Sequence, residues 1–395
     1  MSITPSQQTR LPMGVWVLGG VSLLMDVSSE MIHSLLPMFM VSTLGMSLLM
    51  VGLIEGLAEA TALMVKVFSG ALSDYWGKRK GLAALGYAMG ALTKPLFALA
   101  NGAGLVLTAR VVDRIGKGIR GAPRDAMLTD MVPAAQRGAA FGLRQSLDTV
   151  GAFLGPLLAV GLLWGWTSDV RAIFWVAVIP GALAVGLLLI GIREPIAVGR
   201  QSNGHPISRA NLMLLGRDYW WVVALGGVFT LARFSEAFLV LRAQQSGVAL
   251  MWVPLVMVAM NLVYALTAYP FGKWSDTRSP AQILLGGMVM LMVADLVLAW
   301  GTHWLAVLAG VVLWGVHMGM TQGVLARMVA DAAPTTLRGT AFGLFNLSSG
   351  VAMLVSSVVA GGLWDAYGPV ATFLAGALFC LLTCVLLGVR YSRVG

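Results

Sequence analysis

The sequence predicts an all-α membrane protein, with twelve transmembrane helices in two pseudo-symmetric six-helix bundles. Three observations predict it. Of 395 residues, 58% are hydrophobic and 11% charged, with a mean hydropathy of +0.84. Soluble domains run about 45–50% apolar and about 25% charged. Twelve apolar runs approach the roughly 20 residues a bilayer-spanning helix needs. A block of sequence also recurs 201 residues further on. This composition excludes a soluble enzyme, a disordered segment or a nucleic-acid binder as the main reading. Open strands would leave backbone groups unpaired in lipid, and no run shows the period of two of barrel strands.

Charge clusters and Gly, Pro and Asn turns cut the runs. Span one, 13–40, is interrupted only by Asp26, Glu30 and His33. Span two, 46–72, stops at the charged loop 73–80. Span three, 81–100, carries one charge, Lys94, and ends at Asn101-Gly102. Span four, 104–131, carries seven charges between Arg110 and Asp125 and ends ahead of Pro133. Span five, 138–164, and span six, 171–192, flank a short polar loop; Glu194-Pro195 ends the second. Spans seven, 219–245, and eight, 249–272, meet at Gly247. Span nine, 281–300, ends at Gly301. Span ten, 304–331, precedes Pro334. Spans eleven, 339–363, and twelve, 368–390, complete the set. Cys380 and Cys384, four apart in the last run, read as small buried hydrophobes and not as a disulfide or zinc site.

The net charge of +9 is mostly a topology signal. Arg10, Lys78, Arg79, Lys80, Arg137, Arg193, Arg200, Arg209, Arg217, Lys273, Arg278, Arg338, Arg390 and Arg393 all fall on one side, and the opposite loops hold no Lys or Arg. Positive loops stay in the cytoplasm, so both termini are expected there, in a multi-pass protein of the cell inner (plasma) membrane. Residues 1–12 lack the basic start and small-residue cleavage site of a signal peptide, so the first span is expected to remain.

The repeat divides the chain. Pro133-x3-Arg137-Gly138-x-Ala140-Phe141-Gly142-Leu143 recurs as Pro334-x3-Arg338-Gly339-x-Ala341-Phe342-Gly343-Leu344, and Asp130 maps to Asp331. Two duplicated halves then read as a bundle in 1–192, a polar linker 193–218 and a bundle in 219–395, with a solute path between them. Gly70-x-Leu72-Ser73-Asp74-x2-Gly77-Lys78-Arg79-Lys80 between spans two and three resembles the signature loop of the major facilitator superfamily. Phe271-Gly272-Lys273-Trp274-Ser275-Asp276-x-Arg278 is its degenerate copy between spans eight and nine. The resemblance covers essentially the whole chain and implies a secondary transporter that works by rocking two bundles. It also places Arg110 where family members carry a span-four arginine. In this reading Gly70 and Gly77 permit close approach, Asp74 faces the span starting at Gly339, and Lys78, Arg79 and Asp130 form a charge latch. With Asp276 they form a gating set that does not touch solute.

Ionisable residues inside a membrane are functional candidates by default. Asp26, Glu30 and His33 share one helix face, as do Glu55 and Glu59; with Asp113 they are the proton-coupling candidates. Burial favours the neutral form of a carboxyl and a nearby cation the charged form, so moving that cation shifts proton affinity. Arg110, Arg114, Lys117, Arg144 and Gln145 are the substrate candidates of the first half. Arg233, Glu236, Asn261, Tyr264, His317, Gln322 and Asn346 are those of the second. At the 201 offset, Arg110, Asp113, Arg114 and Lys117 become Val311, Trp314, Gly315 and Met318, so the second half has shed the network. Ion coupling and polar recognition are therefore expected in the first half, facing an apolar and aromatic wall.

Between 110 and 125, five cations face two anions. That excess suits a carboxylate or phosphate group held bidentately; alternatively Asp26, Glu30, Glu55, Glu59 and Asp148 neutralise it internally. Gly151-x3-Gly155-Pro156 resembles an exporter motif whose following glycines are Ala159 and Val160 here. Gly315, Gly319 and Gly323 read as helix-packing contacts. No P-loop is present, and no cofactor or metal is expected.

The function expected is proton-coupled transport of a small organic solute, with an organic anion leading and proton-driven multidrug efflux of amphipathic compounds as the alternative. Two other classes are weaker. A membrane enzyme could use His33 with Asp26 and Glu30, and a non-transporting receptor needs no coupling. The expected partners are substrate, proton and lipid, with no nucleic acid, and the chain is expected to work as a monomer.

Overall fold

The computed structural model describes residues 11–76, 79–133, 136–193, 214–334 and 337–391, with side chains throughout except at 70–76, 137–139, 275–277, 338, 339, 390 and 391. Among these residues there are twelve long helices and no strand. In the first half they are α1 (Met13–His33), α2 (Leu48–Trp76), α3 (Arg79–Leu99), α4 (Ala103–Asp130), α5 (Arg137–Gly165) and α6 (Val170–Gly191). In the second, α7 runs over Arg217–Ala232 and resumes over Ala237–Gln245. It is followed by α8 (Leu255–Thr277), α9 (Pro280–Trp300), α10 (Trp304–Ala332), α11 (Arg338–Tyr367) and α12 (Pro369–Tyr391). Eleven are long and apolar enough to cross a membrane. The other, α4, is as long but too charged, because it carries the side chains that build the site.

The duplication is visible in the element bounds. α3 and α9 begin and end 201 residues apart, and so do the starts of α4 and α10 and of α5 and α11. Gly45 and Gly247, 202 apart, turn the chain after α1 and α7 with φ of +65° and +91°. Only glycine adopts that left-handed backbone without a steric penalty.

Within the first half, α1 packs on α5 and α6, and α4 lies between α2 and α3. Within the second, α10 lies between α8 and α9, while α7 packs on α11 and α12. The halves meet along α2 and α11, between α5 and α8, and where the short helical turn after α1 (Leu36–Met38) touches the second piece of α7. The α2–α11 contact is backbone to backbone: a Cβ on Gly52 would lie 2.1 Å from the Ser357 carbonyl oxygen, and one on Gly361 2.3 Å from that of Leu48. At the end of the molecule opposite the basic loops, Asp365 of α11 accepts hydrogen bonds from the Leu48 and Leu49 amides at 2.9 and 2.7 Å. These amides open α2 and have no partner within their own helix. Gln244 donates to Ser42 at 3.0 Å beside them.

The exporter-like Gly151 and Gly155 seat α5 on α1, against the Leu23 and Val27 carbonyls. Of the three glycines expected to pack α10, Gly315 meets the Met260 carbonyl and Gly319 the Thr267 hydroxyl. Gly323 has nothing within 4 Å of its Cβ position. The four-residue pattern therefore outlasts the interface by one turn, since α8 no longer follows α10 there.

Candidate functional site

The break in α7 creates the second half's contribution to the site. Residues 233–235 are not helical, and Arg233 has φ −105° and ψ +81°. The freed backbone groups find α11 serines: the Ser235 amide donates to Ser357 Oγ at 3.2 Å, and Ser356 Oγ donates to the Arg233 carbonyl at 3.5 Å. Membrane helices tolerate such breaks where they line a cavity. Here the break lines one of about 280 Å³, whose wall includes Arg233, Phe234, Ser235 and Glu236.

Across the cavity stand α1, α2 and α4. The i, i+4 and i, i+3 spacings on α4 aim Arg110, Arg114 and Lys117 inward, and those on α2 aim Glu55 and Glu59. Arg110 clamps Glu55 with two parallel bonds, Nε to Oε1 at 2.9 Å and Nη2 to Oε2 at 2.5 Å. Arg114 Nη1 reaches Glu59 Oε1 at 3.2 Å. His33 joins the two arginines: its Nε2 lies 2.8 Å from Arg114 Nη2 and bonds Arg110 Nη1. A guanidinium only donates, so the ring accepts from the arginines; its Nδ1 lies 3.1 Å from Arg114 Nη2 and 3.5 Å from Glu30 Oε1.

Behind this layer, Lys94 is fully buried and donates to Asp113 at 2.8 Å and Ser29 at 3.0 Å. Asp113 Oδ2 is 3.8 Å from both His33 Nε2 and Arg114 Nε. The core of the network thus holds four carboxylates (Glu30, Glu55, Glu59, Asp113) and four cations (Lys94, Arg110, Arg114, Lys117). Of the second sequence reading, internal neutralisation, the structure shows Glu55 on Arg110, Glu59 on Arg114 and Asp148 on Arg144 at 2.8 Å. Lys117 differs. It lines the cavity with no ion-pair or hydrogen-bond partner among the described residues. The Arg233 side chain likewise has none, and its Nε is buried without one.

The comparisons bear on what such a cavity serves. A family model described as Major Facilitator Superfamily matches residues 18–260 and 237–394. The chain belongs to the major facilitator superfamily. An uncharacterized MFS-type transporter of Methanocaldococcus jannaschii is 31% identical over 385 residues, covering 96% of this chain and 95% of the relative. The multidrug resistance protein MdtH of Yersinia pestis is 24% identical over 353 residues, 87% of this chain and 84% of its own. Among solved structures, a mutant of the nucleoside transporter NupG superimposes with a TM-score of 0.81 at 12% identity, over 95% of this chain and 99% of that one. The protein is a multi-pass membrane transporter of this superfamily and not an enzyme.

The superfamily cavity gathers Glu30, His33, Glu55, Glu59, Arg110, Arg114, Lys117, Arg233 and Glu236 among the sequence candidates. Asp113 is one layer behind. Asp26, Arg144, Gln145, Asn261, Tyr264, His317, Gln322 and Asn346 are not in its wall. Arg144 pairs with Asp148 and Gln145, Tyr264 donates to Gln322 at 3.0 Å, and His317 is buried edge-on to Phe229 and Trp314. Of the gating set, Arg79 and Asp130 form an ion pair between α3 and α4, inside the first half. Gly77 and Lys78 lie outside the described residues, as do the side chains at Gly70, Asp74 and Asp276; so does 194–213, most of the expected linker. The cavity wall also contains Pro37, Phe234, Ser235, Met257, Trp314 and Met353. Trp314 could have been found by offset, since it replaces Asp113; Phe234 and Ser235 required knowing that α7 breaks.

Proposed function

We propose that this transporter carries a small organic anion, a metabolite or chelator bearing carboxylate or phosphate groups, by alternating access of its two halves and in exchange or company with protons. One observation carries the reading: Lys117 and Arg233 line a single cavity from opposite halves with no carboxylate in ion-pair contact among the described residues, while Arg110 and Arg114 are already held by carboxylates. An anion bound between them would satisfy both cations and link α4 to the α7 break. Drawing Arg114 toward that anion would loosen it from Glu59 and His33, whose proton affinities depend on it; this is the proposed coupling. The loop charges support a plasma-membrane orientation with both termini and the 193–218 linker cytoplasmic. A cavity built from one chain supports a monomer as the working unit.

The second reading, proton-driven efflux of amphipathic compounds, rests on the apolar wall of Phe234, Met257, Trp314 and Met353 and on the relative named a multidrug resistance protein. Thermal unfolding in detergent separates them. The wild type is screened against di- and tricarboxylates, phosphate monoesters and lipophilic cations; a ligand at a hundredfold its Kd adds about 2.7 kcal/mol. The expected result is stabilisation by an anion, lost in Lys117→Gln and in Arg233→Gln. Stabilisation by lipophilic cations alone, indifferent to both substitutions, sinks the anion reading in favour of efflux. Uptake of the stabilising anion by proteoliposomes under an imposed pH gradient then tests coupling.

A further inference from the structure

The second half contains a carboxyl group that nothing above employs. Asp295, in the last third of α9, is fully buried, and neither carboxyl oxygen has a hydrogen-bond partner among the described residues. It stands 201 positions after Lys94, so the repeat has placed an acid where the first half keeps a cation. Lys94 is paired with Asp113, whereas the counterpart of Asp113 is Trp314, which offers no charge. Among the described residues no cation reaches either carboxyl oxygen of Asp295. α12 brings the Cys380 thiol and the bare Cα of Gly376, whose Cβ position is 2.5 Å from Asp295 Oδ2. His317 of α10 is buried against Phe229 and Trp314, with neither ring nitrogen hydrogen-bonded among the described residues. The titratable groups at the α7 break, Arg233 and Glu236, face the cavity. Tyr264 of α8 is bonded to Gln322.

Only a thin partition separates this group from the cavity. Phe234 lines the cavity and also abuts the Gly376 position at 3.2 Å, against the same spot as Asp295. Its ring packs on Trp314, centroids 5.4 Å apart, and Trp314 is cavity wall too. Phe234 sits on non-helical backbone at the α7 break, so its position depends on the segment that also presents Arg233. An uncompensated carboxylate in this apolar shell would lack both water and partner, whereas the acid form carries no charge to solvate.

We propose that Asp295 is a proton-binding site of the second half, holding its proton while Phe234 closes the partition and exchanging it with cavity water when the α7 break moves. The site needs no solute to be detected, so it can fail while the anion reading stands, and the reverse. The test is infrared spectroscopy of the full-length protein in lipid, reading protonated-carboxyl C=O bands before and after transfer to D₂O. The wild type is expected to show a slowly exchanging band at pH 8 that Asp295→Asn removes. In Phe234→Ala the same band should exchange at least tenfold faster. Loss of no band in Asp295→Asn overturns the proposal. If Asp295→Asn does not fold, Phe234→Ala against the wild type still decides, because unchanged exchange rates for every band overturn it.

Discussion

Asp365→Ala should open the end of the molecule opposite the basic loops. The carboxylate of α11 caps two amides of α2, and those helices belong to different halves. Removing a capping side chain costs about 1 kcal/mol, and an exposed anion at a helix N-terminus adds about 0.3–1 kcal/mol. Together that is about 1.5 kcal/mol, or roughly tenfold in the ratio of closed to open at this end. Spin labels at Thr43→Cys and Gln245→Cys, both exposed beside the Ser42–Gln244 bond, report the separation of α1 from α7. Cys380 and Cys384 are the two native cysteines to replace in the background. Double electron–electron resonance should show the long-distance population gain about tenfold on the short one in Asp365→Ala. Asp365→Asn, which keeps one acceptor oxygen but no charge, should fall between. An Asp365→Ala distribution identical to the parent would refute the idea that this cap holds the halves together.

Three further substitutions test the interior. Lys94→Met takes the nearest cation from buried Asp113 and leaves it Arg114 Nε and His33 Nε2 at 3.8 Å, so the loss should fall below about 3–5 kcal/mol, the cost of a fully stranded charge; thermal unfolding should show it, with partial recovery on adding Asp113→Leu. Gly52→Val drives side-chain atoms into the Ser357 carbonyl, and overpacking costs about 1–3 kcal/mol. The spin-label pair above should then report a wider separation of α1 from α7 at that end. Glu55→Gln keeps one acceptor for Arg110 but removes its charge partner, so proteoliposome transport of the stabilising anion should fall at least tenfold with expression intact. Wild-type transport rates there would remove Glu55 from the coupling machinery.

The architecture was legible because it follows from local quantities. Hydropathy over about 20 residues places a helix wherever the membrane is, and the 201-residue repeat carries over to helix bounds almost unchanged. α4 is instructive: a hydropathy threshold alone misses it, yet its charges at 110, 113, 114 and 117 follow a helical period, and Arg110, Arg114 and Lys117 of that set line the cavity. Pairing was less legible. Spacing shows that Glu55 and Glu59 share a face, but which arginine each meets depends on how α2 and α4 are rotated and shifted against each other. That is a tertiary quantity. The α7 break was invisible for a related reason: Arg233-Phe234-Ser235-Glu236 contains neither Pro nor Gly, and the unwinding is stabilised by Ser356 and Ser357 more than a hundred residues away.

Lys94 and Asp295 show how one ancestral position can take opposite roles. In the first half a buried cation found a buried anion, and removing either partner is severe, so the pair fixes α3 against α4 and holds Asp113 beside His33 and Arg114. Rigid placement of that kind is what the proposed exchange of a proton for a solute charge requires. In the second half the partner became Trp314, and the acid lost any charge to lean on while the cavity acquired an aromatic wall. The two positions communicate through Phe234, whose ring packs on Trp314 and abuts the Gly376 position beside Asp295. In the proposed cycle the second half is therefore the one whose state depends on whether its partition is shut, while in the first the Lys94–Asp113 pair keeps its register as Arg114 exchanges partners.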